Sequence, residues 1–192
     1  RLTRVYLRQL DEGLPARLEE VLAGPPGIER DYWEFFLGPW NPLEDDAPVF
    51  PGAAPRLPGG AFYPAGLDAA AFEAAASALS PAEREALADH YTVVAKDANG
   101  GLVARPYHEV YAAELSAIAS DLREVAGLVE DPRLQAYLEL RARTLLDGDY
   151  RAADEAWVRL REAPLELVLG PFAVDMDRVA GIKAAYEGML FS

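Results

Sequence analysis

The sequence predicts a mostly helical α+β domain, with an antiparallel helical layer, a small β-hairpin and a short buried strand. Three observations support this fold class. Apolar residues recur at helical spacing over most of the chain, two β-rich runs flank the turn at Asn99-Gly100, and an apolar run over 165–172 contains Gly-Pro near its end. A chain of 192 residues is long enough to bury a core without metal or disulfide staples. We therefore expect residues 1–192 to form a single domain.

The first third of the chain predicts three short helices. The apolar stripe of the first ten residues continues after a break at Gly13 and Pro15, which favours two helices or one kinked helix. Gly24 and the prolines after it end this pattern. An aromatic-rich stretch over 28–37 then predicts a third helix.

Residues 38–66 predict a long irregular segment, which we call the strap. It holds seven prolines and five glycines, too many for a continuous helix or a central strand. Trp40, Phe50, Phe62 and Tyr63 are large apolar groups that can anchor it, so we expect an ordered strap across the helices. The acidic run at 44–46 lacks the ligand spacing of a calcium loop, and we expect it to be a solvated turn.

The remaining elements follow from local start and turn signals. Asp68 is a predicted N-cap, Ser80-Pro81-Ala82-Glu83 is a capping box, and the segment 91–104 predicts the hairpin. Three helices, over about 107–125, 132–146 and 150–160, should form the antiparallel layer because short loops join them. Pro164 is predicted to end this layer and to start the strand. A final helix is predicted over 179–191.

The charge of the chain restricts its partners. Its net charge is −14, from 32 acidic and 18 basic residues, and such a surface repels phosphate backbones and anionic lipid. The sequence therefore predicts neither a nucleic-acid nor a membrane partner. No apolar run approaches about 18 residues and no signal-peptide core is present, so we expect a soluble chain with the cytoplasm as default location. The absence of cysteine excludes disulfides and thiolate chemistry.

No set of residues in the sequence predicts a catalytic centre. His90 and His108 are the only histidines, and His108-Glu109 lacks the second histidine of a zinc-binding helix because position 112 is alanine. A surface or capping role is the expectation for His108. No Gly-x-Ser-x-Gly motif and no glycine-rich phosphate loop is present. We therefore predict no catalytic residue, no metal ligand and no cofactor in this chain.

Several segments, in order, resemble bacterial zinc peptidases of the dipeptidyl-peptidase III family. The hairpin also lies between similar flanks. The resemblance covers nearly all of the chain from about Trp33 onward. The matching segments are Gly38-Pro39-Trp40 within 36–50, Ala61-Phe62-Tyr63-Pro64, Tyr137-Leu138 to Ala156-Trp157, Leu167-Val168-Leu169-Gly170-Pro171, and Lys183-Ala184-Ala185-Tyr186-Glu187.

This resemblance implies a zinc-dependent exopeptidase that releases dipeptides from peptide N-termini in a cleft between two lobes. Two histidines and a glutamate would bind zinc, and a second glutamate would polarise the attacking water. The family's zinc motif lies downstream of every matched segment. Zinc is therefore implied only for a missing downstream half, and we expect this chain to be the N-terminal portion of a larger protein, catalytically silent by itself.

The resemblance also implies substrate-binding positions. After Gly170-Pro171 the family usually places a glutamate and a tyrosine two residues apart, which bind the substrate's amino end and backbone. An ungapped reading puts Ala173 and Asp175 at these positions, while Asp177 keeps the family's later acid. Peptide binding is thus expected in altered form.

Two alternatives remain open. The chain could be a stand-alone peptide- or protein-binding module, with the strap and the edge at Asp175 and Asp177 as its groove, or an unrelated helical protein that shares these motifs. The predicted last helix ends at Phe191-Ser192 without a stop signal, and its apolar face needs cover. We expect removed residues to supply that cover, so that the chain is a fragment; otherwise we expect a dimer through this helix.

Overall fold

The computed structural model describes residues 1–160 and 165–191. Within these ranges the chain forms nine α-helices and three two-stranded antiparallel sheets, so the predicted mostly helical α+β class is confirmed. Pro164, where the strand was expected to start, and Ser192 lie outside the described residues. No helix in the described ranges is long and apolar enough to cross a membrane.

The N-terminal region forms three separate helices, α1 (Leu2–Leu10), α2 (Leu14–Ala23) and α3 (Ile28–Phe36). The break predicted at Gly13 is confirmed, and Pro15 lies in the first turn of α2, where a missing amide costs nothing. Helix α1 runs through the core, with Val5 and Gln9 fully buried. Helix α3 contributes only Trp33 to the interior, whereas Phe35 is 79% exposed.

The strap follows an irregular path with two anchored ends. Strands β1 (Trp40–Asn41) and β2 (Ala47–Pro48) pair near its start, and 3₁₀ turns occupy Pro42–Glu44 and Gly60–Phe62. Phe62 and Tyr63 are buried in the main core, as predicted, while Trp40 and Phe50 pack half-buried against the cluster around Trp33. The strap is therefore anchored by the four aromatic residues from which its order was predicted.

The acidic turn of the strap is only partly solvated. The Asp45 side chain is 92% exposed, as expected, but Asp46 is buried. Asp46 Oδ2 accepts from Arg56 Nη1 at 2.6 Å and lies 2.7 Å from Arg178 Nη2. The prediction of a wholly solvated turn is therefore wrong at Asp46, because two distant arginines that sequence spacing does not reveal converge on this carboxylate.

The central elements begin where the local signals place them. They are α4 (Ala69–Ser77), α5 (Pro81–Ala88), β3 (Thr92–Lys96), β4 (Leu102–Pro106), α6 (Tyr107–Val110) and α7 (Ala112–Ala126). Asp68 caps α4 through the amide of Ala71, and Ser80 and Glu83 form the predicted capping box. Strands β3 and β4 form the predicted hairpin, with Val94 opposite Ala104. The helix predicted from Tyr107 is interrupted at Tyr111, which separates α6 from α7.

The helical layer is formed by α7, α8 (Pro132–Asp147) and α9 (Arg151–Arg159), which pack on one another in chain order. Asp131 caps α8 through the amide of Arg133, and Gly148 ends it in the left-handed conformation with φ 78°. Leu115, Leu138 and Leu145 are buried between the helices. This layer confirms the packing predicted from helical periodicity and short connections.

The last two elements are antiparallel strands, β5 (Glu166–Ala173) and β6 (Ala185–Phe191). The predicted strand over 165–172 is confirmed, although Gly170-Pro171 does not close it. Pro171 lies opposite Tyr186 inside the ladder, with a bulge before Ala173. Both strands of a two-stranded sheet are edge strands, and an edge strand tolerates proline.

The helix predicted over 179–191 is wrong. Residues 174–184 form the β5–β6 loop and the rest is β6. Helical spacing of apolar residues cannot reveal that β5 offers a pairing partner, nor that amides of the loop bond to a buried carboxylate instead of to a helical turn. The predicted dimer through a C-terminal helix therefore loses its structural basis.

Candidate functional site

A cavity of about 400 Å³ lies between α1 and the strand pair β5–β6. We call it the α1–β6 pocket. Leu2, Leu37 and Met176 supply apolar wall, while Asp175 and Glu187 supply carboxylates. Its lining residues are Leu2, Thr3, Tyr6, Leu37, Ala173, Asp175, Met176, Tyr186, Glu187 and Gly188.

Tyr6 forms the polar part of the helix wall of this pocket. Burial raises the pKa of its hydroxyl above the ordinary value; Arg56 opposes the rise, and Asp175 and Glu187 add to it. The hydroxyl is therefore neutral at physiological pH and donates to Met176 Sδ at 3.6 Å. Tyr6 thus lies close enough to Asp175 and Glu187 for both carboxylates to disfavour its ionised form.

Neither carboxylate of the pocket forms an ion pair with a residue that the structure describes. Arg56 contacts the pocket residue Met176 through Nη2, but its ion pair is with Asp46. Among the described residues, no ion pair reaches Asp175 or Glu187. The pocket therefore presents two unpaired carboxylates beside apolar walls, an arrangement that attracts a cation.

The structure brings two of the three predicted site residues to this pocket. Ala173, the last residue of β5, and Asp175 both line it. Strand β5 ends at Ala173, and Asp175 follows it in a turn. Glu187, which sequence analysis placed on a helix and did not predict as a site residue, completes the pocket from β6. The only signal that could have found it is its place in a segment resembling the family.

Asp177, the third predicted site residue, is buried in the β5–β6 loop and does not line the pocket. Its Oδ1 accepts from the amides of Val179 and Ala180 at 2.9 and 3.1 Å. Its Oδ2 accepts from the Tyr63 hydroxyl at 2.7 Å and from the amides of Ile182 and Lys183 at 2.9 and 3.0 Å.

These hydrogen bonds determine the charge state of Asp177. Burial alone would raise the pKa of this carboxyl, but the bonds from Tyr63 and from the backbone amides outweigh burial and hold the pKa below its ordinary value. The carboxylate therefore stays ionised and already has five donors. In this structure Asp177 organises the loop that carries the pocket residue Asp175.

Lys183 anchors the other end of the loop. Its side chain is fully buried, and Nζ donates to Leu87 O, Asp89 O and Thr92 Oγ1, each at 2.7 Å. It thereby binds carbonyls at the end of α5, where helical partners are missing. Burial lowers the pKa of Lys183 to about 8, against the opposing effect of Asp89 and Asp177.

We predict that Lys183 makes stability depend on pH. Its folded-state pKa of about 8 is below the ordinary 10.5, so the unfolded state binds more protons between these values. The free energy of unfolding should therefore gain about 1 kcal/mol from this group between pH 7 and 9. Urea unfolding of wild type and Lys183→Met at both pH values measures the difference. Lys96→Met, which removes the chain's other, exposed lysine, should keep the gain; equal pH dependence in wild type and Lys183→Met would contradict the prediction.

The two histidines do not form a metal site. His90 Nδ1 lies within hydrogen-bonding distance of Ile182 O, and the His108 ring packs against Gly148. No group of three histidine, cysteine, aspartate or glutamate side chains in the described ranges could hold a metal ion. The zinc that the family resemblance implies does not fit residues of this chain, so we derive no chemical step from it. That this chain binds no zinc stays a prediction.

A second, larger cavity of about 640 Å³ lies between the end of α5 and α9. We call it the α5–α9 groove. Unlike the α1–β6 pocket, it also contains cations: Arg151 and Arg159 lie beside four acids and both pair with one of them, Glu155; the other three are Asp89, Asp149 and Asp154. Because its acids lie beside arginines, it is the reference surface for binding experiments.

Sequence comparison gives one curated relative. No family model matches the chain. Over 168 residues it is 27% identical to Nudix hydrolase 3 from Arabidopsis thaliana, in an alignment that covers 77% of this chain and 21% of that protein. The chain thus spans only a fifth of that relative's length, and the relative's name describes a protein most of which lies outside the match.

Comparison of structures identifies the fold. Dipeptidyl-peptidase III from Caldithrix abyssi superposes with a TM-score of 0.89 at 31% identity, covering 98% of this chain and 36% of that one. Dipeptidyl-peptidase III from Corallococcus sp. strain EGB gives 0.89 at 33% identity, covering 99% of this chain and 36% of that one. The resemblance predicted from the sequence motifs is confirmed: over nearly its whole length, the chain is a dipeptidyl-peptidase III-like portion that spans 36% of those bacterial structures.

Proposed function

We propose that the chain is the N-terminal, substrate-binding portion of a dipeptidyl-peptidase III-like peptidase, and that the α1–β6 pocket receives the free amino end of a peptide. One observation carries this proposal. Two unpaired carboxylates, Asp175 and Glu187, lie on an apolar-walled cavity beside the position where the family resemblance expects the amino-end ligand, Ala173.

The chemistry of the pocket matches a protonated amine. A peptide amino end carries one positive charge below about pH 8 and has three donors. Asp175 and Glu187 can accept charge-assisted hydrogen bonds, which are stronger than neutral ones. Leu2, Leu37 and Met176 would then lie beside the first side chain, so the pocket favours peptides with an apolar first residue.

Relative to the family pattern, the negative charge is shifted from position 173 to position 175. Alanine at position 173 replaces the expected glutamate, but Asp175, two residues further along the chain, lines the same pocket. Asp175 therefore replaces an expected tyrosine with a carboxylate. We infer that the amino end binds closer to the β5–β6 loop than the family pattern implies.

Hydrolysis is not assigned to the described residues. The residues of this chain bind and orient the amino end; peptidase activity, and the zinc it requires, would belong to a downstream half of a longer polypeptide. A stand-alone binding module is the second candidate, favoured by the loss of glutamate at position 173 and by the exposed aromatic face of α3 at Phe35. A zinc motif in the continuation of the reading frame would support the peptidase portion, and a continuation without one would support the binding module.

Calorimetric titration with a tripeptide that begins with leucine tests the pocket. The unblocked peptide should bind at least tenfold more tightly than its N-acetylated form, since one charge-assisted hydrogen bond contributes about 1.5–3 kcal/mol. Asp175→Asn combined with Glu187→Gln should remove this preference. Asp149→Asn, an exposed acid of the α5–α9 groove, should keep it. Equal affinity of wild type for both peptides would contradict the proposal.

A further inference from the structure

The β5–β6 loop, residues 174–184, determines where the two carboxylates of the pocket stand. Asp175 lies near its start, and Glu187 follows its end by three residues. The loop has no regular secondary structure, so its own backbone pairing does not fix its path. Contacts from outside the loop must therefore fix the distance between Asp175 and Glu187.

Hydrogen bonds to the Asp177 carboxylate hold the loop in its conformation. Among the described residues, four loop amides and one side chain from another segment donate to its carboxylate. The side chain is that of Tyr63, in the strap. In the part of the chain that the structure describes, the hydroxyl of Tyr63 is thus the one donor to this carboxylate that comes from outside the loop.

Tyr63 itself has a fixed position. Its ring is buried and packs edge-on against Phe72, with ring centroids 5.5 Å apart. At Gly59, a Cβ atom would lie 2.7 Å from Tyr63 Cδ2 and 2.8 Å from Val179 Cγ2, so strap, ring and loop pack without room for a methyl group. The amide of Arg178 also donates to Pro58 O at 2.8 Å. The strap is therefore a rigid support for the loop.

We propose that Tyr63 and Asp177 are positioning residues, whose hydrogen bond keeps Asp175 on the α1–β6 pocket. This inference rests on the proposed amino-end site. Asp175 is two residues from Asp177, and Met176 between them contacts Tyr6 and Arg56 from the loop side of the pocket. Loss of the bond removes the side-chain tie between Asp177 and the strap, while Arg178 stays bonded to Pro58 and paired with Asp45 and Asp46. Asp175, two residues before Asp177, is then held less firmly at the pocket, while Glu187, paired with Gly170 of β5, stays in place.

Tyr63→Phe tests this inference because it keeps the ring and removes only the hydroxyl. Affinity for the unblocked leucyl tripeptide should fall about tenfold, whereas affinity for the N-acetylated peptide stays unchanged. Trypsin cleavage after Arg178, which is partly exposed, should accelerate by a similar factor. Tyr91→Phe, a half-buried tyrosine that lines the α5–α9 groove, is the matched control and should change neither quantity.

The outcomes separate this inference from the proposed function. If wild type does not prefer the unblocked peptide, the proposed function fails and the positioning role fails with it. If wild type prefers it and Tyr63→Phe keeps the full preference, the positioning role alone is overturned, even where cleavage after Arg178 accelerates. Should Tyr63→Phe not fold, Asp177→Asn is measured in the same way, with the same expected and contradicting results.

Discussion

Tyr186→Ala is expected to lower the free energy of unfolding by about 3–5 kcal/mol, the range for truncating a large buried aromatic residue. Tyr186 is 1% exposed, and its ring lies among those of Tyr107, Tyr111 and Tyr150. Its hydroxyl bonds to that of Tyr150, and its amide donates to Gln9 Oε1 at 2.7 Å. The substitution therefore opens a cavity where α1, β6 and the helical layer meet.

Urea unfolding followed by circular dichroism measures this loss. Leu190→Ala is the control on the same strand, because Leu190 is 67% exposed and its truncation should cost less than about 1 kcal/mol. A loss of similar size for both variants would contradict the burial of β6 described here.

Gly60→Ala is expected to destabilise the fold by about 2–4 kcal/mol, from backbone strain and a steric clash. Gly60 has φ 51°, and a Cβ atom there would lie 2.5 Å from Gln9 O. A backbone carbonyl cannot move aside as a flexible side chain can. The strap and α1 would have to separate, and α1 carries the Gln9 side chain that bonds to Tyr186.

Gly66→Ala is the matched control for this clash. Gly66 has φ 77°, but nothing lies within 4 Å of its Cβ position, so its substitution brings strain without a clash. The difference between the two variants measures the close approach of strap and α1. Equal losses of stability would contradict that approach.

The sequence predicted most elements because their signals are local. Asp68 and the capping box at Ser80 and Glu83 satisfy amides within the next few residues, and the structure shows the predicted bonds. The hairpin turn likewise contains its own acceptor, since Asp97 Oδ1 accepts from the amides of Asn99 and Gly101. Such bonds depend on neighbours in the chain, which periodicity and residue type reveal.

The predictions that were wrong concern contacts between residues far apart in the chain. The spacing of Val179, Ile182 and Tyr186 fits a helix. These residues instead belong to a loop and a strand, because β6 pairs with β5 and the Asp177 carboxylate accepts from the loop amides. Glu187 was missed as a site residue for the same reason. Ala173 and Asp175 were predicted from family resemblance alone, since no charge pattern marks them in so acidic a chain.

Binding of a free amino end at the α1–β6 pocket is tested most directly by amide chemical shifts of the ¹⁵N-labelled chain during titration with the unblocked leucyl tripeptide. We predict that the perturbed amides cluster at Thr3, Asp175, Glu187 and Gly188. The N-acetylated peptide should leave the chemical shifts of these amides unchanged. Perturbations that are the same for both peptides, or that cluster in the α5–α9 groove around Asp149 and Arg159, would contradict it.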